Sequence, residues 1–134
     1  FHLVTQEFFR SVRDHLAPGG AVMINVGAPP GHDQALNAIA GTMATVFPVV
    51  EQSRVNDFNT IVWAFRDANS AAGARTRLVG APAPLTATCA GMAADAQRIA
   101  PTADPLTDDH APIEWLTDTA LIAYLRDGAP GAQR

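Results

Sequence analysis

Apolar residues at Phe8, Val12 and Leu16, with Phe9 beside them, are spaced four apart and predict a helix over residues 6–16. Thr5 is placed to cap it, Glu7 suits the positive end of its dipole, and Pro18-Gly19-Gly20 stops it. The next run, Ala21-Val22-Met23-Ile24-Asn25-Val26, is short, almost continuously apolar and rich in β-branched residues, the pattern of a strand covered on both faces of a parallel sheet. Gly27-Ala28-Pro29-Pro30-Gly31 makes an exit loop. Leu36, Ile39, Ala40, Met43 and Phe47 then form a second helical stripe over 33–46, capped from Asp33 and ended by Pro48.

Residues 49–55 predict a strand, Asn56-Asp57 a turn, and 58–65 a strand whose centre, Ile61-Val62-Trp63-Ala64, reads as buried. So short a connection pairs these two strands antiparallel. Helix, strand, helix, strand, strand is the order expected of the closing half of a doubly wound α/β sheet with an antiparallel terminal strand pair. Residues 67–88 mix Ala, Gly, Ser, Pro and Arg without a period and read as a surface excursion, and 90–100 as a weak helix. After the segment 106–116, a helix is expected over 118–126, with Leu121, Ile122 and Leu125 as its apolar face and Gly128 as its stop. The expected organisation is thus 1–66, an excursion over 67–104, and a helical tail over 105–134 belonging to the same domain.

Composition narrows the functional classes. The 134 residues are 48% hydrophobic and 16% charged, enough for one globular domain. Nine cations, all Arg, against 13 acids give a net charge of -4, so the basic footprint of a nucleic-acid binder is missing. One cysteine, Cys89, forms no internal disulfide, and the four histidines have no metal-ligand spacing, so no metal is expected. No apolar run is long enough to cross a bilayer, and the first residues lack the pattern of a secretory signal, which gives a cytoplasmic expectation. Because the chain starts without methionine and enters a helix at once, it is expected to be part of a longer polypeptide.

Ligands in open α/β sheets bind beyond the carboxyl ends of strands, which singles out Asn25 and Gly27. The structural alternative is that Asn25 satisfies a loop backbone group while Gly27 supplies a positive φ. Asp108 and Asp109 form the densest polar group: paired carboxylates suit a cationic amine, or cap a turn beginning at His110, with Pro112 in its first turn. His110 is a weaker base candidate, no G-x-S-x-G is present, and the prolines of 27–31 remove the N–H donors that a phosphate loop needs.

Three stretches carry a resemblance. His2-Leu-Val-Thr-Gln-Glu-Phe-Phe9, followed by Leu16-Ala-Pro-Gly-Gly20 and a strand ending Asn25-Val-Gly27, resembles the region of spermidine synthase-like proteins after their fourth strand. Phe58-Asn-Thr-Ile-Val-Trp-Ala64 resembles their last sheet strand, and Leu106-Thr-Asp-Asp-His-Ala-Pro-Ile-Glu-Trp-Leu116 their terminal T-D-D-x-x-P-x-E segment. The resemblance covers about residues 1–66 and 105–125. It implies an S-adenosylmethionine-type Rossmann-like fold and aminopropyl transfer from decarboxylated S-adenosylmethionine to a small amine, with Asn25, Gly27, Asp108 and Asp109 as accessory site residues.

The family's glycine-rich nucleotide motif, its ribose-binding acid and its D-x-x-D catalytic segment have no counterpart in this sequence; they would precede Phe1. The aromatic loop lining the polyamine channel of spermidine synthases is also missing between Val49 and Phe58. The chain alone is therefore expected to be inactive and to hold no cofactor, with S-adenosylmethionine or its decarboxylated form bound only in the intact parent. Any membrane attachment would come from an upstream region, and the open side of the sheet favours homo-oligomers. Two further readings stand beside this one: a methyltransferase of the same fold, and a degenerate, non-catalytic binding or assembly domain.

Overall fold

The computed structural model describes residues 3–127; His2 and Gly128, which entered the expectations above, lie outside the described residues. The chain is mixed α/β, with helices α1 (Gln6–His15), α2 (Gln34–Ala44), α3 (Ala68–Ala72), α4 (Ala74–Val79), α5 (Thr86–Asp95) and α6 (Ile113–Asp127). Its strands are β1 (Ala21–Gly27), β2 (Val49–Asn56), β3 (Asn59–Phe65) and β4 (Gln97–Arg98). They form one antiparallel sheet of order β1-β3-β2-β4. Since β1 and β2 each run against β3, they run parallel to one another, and α2 is the helical crossover that parallel strands require.

β3 is the strand that the apolar run foretold. Val62, Trp63, Ala64 and Phe65 are all at most 5% exposed, because opposite faces of β3 feed two different cores. On one face Val62 and Ala64 join Val26, Val50, Phe9 of α1 and Leu36, Ile39, Ala40 and Met43 of α2. On the other, Trp63 and Phe65 join Val49 and Ala74, with Met92 and Ala96 packed against them.

β1 departs from expectation. It is the edge of the sheet among the described residues, with Val22, Ile24 and Val26 turned to the helical core and Met23 59% exposed on the other face. A short apolar run cannot by itself separate one-sided from two-sided burial. The small or polar residues at Ala21, Asn25 and Gly27 mark the outward side, a period of two that the run of Val, Met and Ile obscured.

Residues 67–96 are more ordered than their lack of period implied. α3, α4 and α5 lie over the second face of the sheet, joined to it through Ala74, Met92 and Ala96. Alanine-rich helices pack through small side chains, so they bury a face without the Leu and Ile stripe that a periodicity search needs. Glu51 is anchored beneath this layer. The residue is 8% exposed, and its carboxylate accepts from the Trp63 indole N–H at 3.2 Å and pairs with Arg75 at 3.0 Å. Trp63 is directly opposite Glu51 in the ladder, so the strand register itself supplies the partner of a buried charge.

α6 begins five residues earlier than its pattern indicated and turns a different face inward. Ala120 is its buried residue, packed toward α2, whereas Leu121, Ile122 and Leu125 are 49%, 64% and 70% exposed. The expected apolar face is thus the uncovered one.

Candidate functional site

Asn25 and Gly27 end β1, next to the start of β3. The Asn25 amide donates to the Asn59 side chain at 3.0 Å, a cross-strand bond rather than one to a loop backbone. Gly27 has no positive φ; that conformation belongs to Gly19 and Gly31. A Cβ built on Gly27 meets only the Phe58 carbonyl, at 3.9 Å, so neither conformation nor crowding requires glycine there. Both residues are exposed.

Asp108 and Asp109 form the tip of a tight turn closed by two backbone bonds between Thr107 and His110. The Asp108 carboxylate accepts from the Thr5 hydroxyl at 2.7 Å, and its N–H donates to Glu7 at 3.1 Å. Thr5 is fully buried, and its hydroxyl oxygen also accepts from the Phe8 N–H, capping α1. Asp108 therefore braces the start of α1 instead of capping the turn at His110. Asp109 is exposed and makes no hydrogen bond or ion pair among the described residues. His110 contributes backbone bonds to the turn. Leu106 ties the segment down: its carbonyl accepts from Gln6 N–H, and its N–H donates at 2.9 Å to Thr42 Oγ1, buried in α2.

The four residues therefore fall into two neighbourhoods, the end of β1 and the start of α1. Neither pair lines any of the more prominent cavities of the described residues. Between α2 and β2, sequence reasoning missed a polar cavity of about 160 Å³ lined by Asp33, Asn37, Gln52, Arg54, Thr60, Asp95 and Gln97. Arg54 pairs with Asp33 at 2.8 Å, and Asp95 accepts from the Arg54 N–H at 3.2 Å. Gln52 Oε1 is buried with no hydrogen-bond partner, so the cavity holds an acceptor that water or a small donor would satisfy. These residues lie on or beside five elements, α2, β2, β3, α5 and β4, and share no motif, which is why no pattern in the sequence marked them. Beside the end of β1, Tyr124 of α6 stands edge-on to Phe58 and His32, with centroid distances of 5.6 and 6.4 Å.

Neither the end of β1 nor the polar cavity has the residues or the room to hold a nucleoside. The exposed end of β1 forms no cradle, and the polar cavity is small for a sugar and base together. Among the described residues no group of His, Cys, Asp and Glu has the arrangement of a metal site, and no helix is long and apolar enough to cross a membrane. Comparisons of the chain with protein-family models, curated proteins and solved structures give no match.

Proposed function

We propose that this chain is the closing part of a Rossmann-like transferase domain of the spermidine synthase-like kind, acting on a small amine, with its nucleoside site and principal acid supplied by residues outside this sequence. The observation that carries the reading is the meeting of Thr5 and Glu7 with Asp108. Two segments a hundred residues apart, each resembling the same family, bond to one another side by side. The strand order adds support: β1 and β2 are parallel and joined through α2, with antiparallel β3 between them. That is how an antiparallel terminal strand enters an otherwise parallel sheet. The open edge of β1 is then where the rest of the sheet would pair, and its carboxyl end would border the ligand crevice. Of the two acids, Asp109 has the carboxylate available to an amine. The reading carries a cytoplasmic location with it.

The test is product identification by mass spectrometry on the longer polypeptide that contains this chain, supplied with putrescine and either decarboxylated or intact S-adenosylmethionine. An aminopropylated amine is the expected result; a methylated product would assign the methyltransferase alternative, and neither product the non-catalytic one. Calorimetric titration of the 134-residue chain with the same nucleosides is expected to show no saturable binding. Binding tighter than about 100 μM would place the site within these residues and overturn the reading.

A further inference from the structure

We propose that the polar cavity between α2 and β2 is a binding site for a small cation that donates hydrogen bonds, the ammonium ion being its simplest ligand. The cavity arises where one face of the sheet changes character. Val50 of β2 and Val62 and Ala64 of β3 belong to the core that α2 covers. Beyond them, at alternate positions of the same two strands, stand Gln52, Arg54 and Thr60. Asp33 lines the cavity from the start of α2. Asp95, which ends α5, closes it from the far side of β2, where its carboxylate accepts from the Arg54 N–H at 3.2 Å and the Ser53 hydroxyl at 3.5 Å.

The bonding inventory selects the ligand. Arg54 directs one guanidinium nitrogen to Asp33 at 2.8 Å and the other to the Asp57 carbonyl at 2.9 Å, so its donors are committed within the protein. Acceptors are in surplus. Gln52 Oε1 is buried without a partner, and the second oxygen of each carboxylate bonds no described residue. A buried acceptor left unsatisfied is costly, so the occupant must donate, which excludes an anion. Two carboxylates against one guanidinium also leave a single negative charge, which water does not neutralise. A divalent metal lacks its ligands, because Asp33 is held by Arg54 and no third acid lines the cavity. Ammonium meets both demands with its N–H groups and its positive charge. At about 160 Å³ the cavity holds this ion and a few waters. No residue of the site belongs to the end of β1 or to the Thr107–His110 turn, so the inference stands apart from the transferase reading.

Thermal unfolding of the 134-residue chain at fixed ionic strength in ammonium, potassium, sodium or tetramethylammonium chloride tests the proposal. Ammonium should raise Tm saturably, by about 5 °C at ten times its dissociation constant, and the other cations, which carry the charge without N–H donors, should not. Isotope-labelled ammonium should give a bound NMR signal with cross-relaxation to Leu36 and Thr60, which line the cavity. Gln52→Met keeps an unbranched side chain and removes the acceptor, so it should raise Tm in sodium chloride and weaken ammonium binding about tenfold or more. Asp95→Asn keeps an acceptor for the Arg54 N–H and should weaken ammonium binding by a similar factor through its lost charge. Equal melting curves in all four salts would show that water alone fills the cavity and would overturn the proposal, as would ammonium binding unchanged in Gln52→Met. A response to potassium equal to that for ammonium would overturn the need for a hydrogen-bond donor.

Discussion

The contact between Thr5 and Asp108 can be weighed by a double-mutant cycle. Thr5→Val keeps the shape of a fully buried side chain while removing both the acceptor for Phe8 N–H and the donor to Asp108. Loss of a threonine N-cap costs about 1 kcal/mol, and loss of a hydrogen bond to a charged group in water-accessible surroundings adds about half that. We expect about 1–2 kcal/mol in total, which for a domain of this size lowers Tm by about 4–8 °C. Asp108→Ala should cost less, about 0.5–1 kcal/mol, because Asp108 is exposed and water replaces part of what it loses. The coupling energy between the two sites should be about 0.5–1 kcal/mol, since the 2.7 Å bond is the interaction that both single variants remove. Urea unfolding of the four proteins followed by circular dichroism reads all these terms. A coupling below about 0.3 kcal/mol, or a Thr5→Val variant as stable as the parent chain, would refute the account of Asp108 as a brace for α1. Asp109→Asn is the internal control and should change stability by less than about 0.5 kcal/mol.

Other positions give equally direct outcomes. Gly27→Ala should be tolerated within about 0.5 kcal/mol because its Cβ meets only Phe58 O at 3.9 Å, whereas Gly41→Ala should destabilise by about 1 kcal/mol. Its Cβ would lie 2.9 Å from Thr102 Cβ, and that crowding outweighs the helix propensity gained; equal melting curves for the two variants would contradict this. Thr42→Val leaves the Leu106 N–H without its acceptor and should cost about 1–3 kcal/mol in chemical unfolding, with a neutral result disproving the anchor. Hydrogen bonds from the Ser70 hydroxyl and N–H and from the Gly19 N–H hold the Asp67 carboxyl below its ordinary 3.8. A folded-state value below the unfolded one gives stabilisation that is present above about pH 4 and lost as pH falls through the folded value. Asp67→Asn should therefore flatten the acid side of the Tm-against-pH curve, and an unchanged acid limb would count against the cap.

How much was legible followed from which signals are local. The α1 stripe, its Thr5 cap and the α2 stripe were readable because a helix writes its buried face at intervals of three and four residues, and Phe9, Leu36, Ile39 and Met43 are all buried as expected. The four-residue run in β3 was readable because two-sided burial demands consecutive apolar residues. The position of β1 at an edge was not, since an apolar strand reads alike whether its second neighbour is present or absent. The layer of α3 to α5 escaped because alanine helices pack without a bulky stripe, and the inward face of α6 escaped because its buried residue is the small Ala120. Of the candidate site, the identities of Asn25, Gly27, Asp108 and Asp109 could be read, but not that they divide between two ends of the structure. Long-range partners such as Thr5 with Asp108 and Thr42 with Leu106 have no sequence signature at all.

The same two escapes explain where this chain remains reactive toward other surfaces. An uncharged edge strand with no proline or bulge and a helix showing Trp115, Ile122 and Leu125 to solvent are both features that natural domains usually cover. They differ in what would satisfy them. The β1 edge needs backbone donors and acceptors in extended register, so it accepts only another strand, and in the proposed parent domain that strand belongs to the same sheet. The α6 stripe presents apolar side chains instead of backbone groups, so what would cover it is not restricted to a strand. The two surfaces therefore call for partners of different kinds, backbone pairing at β1 and apolar side-chain packing at α6.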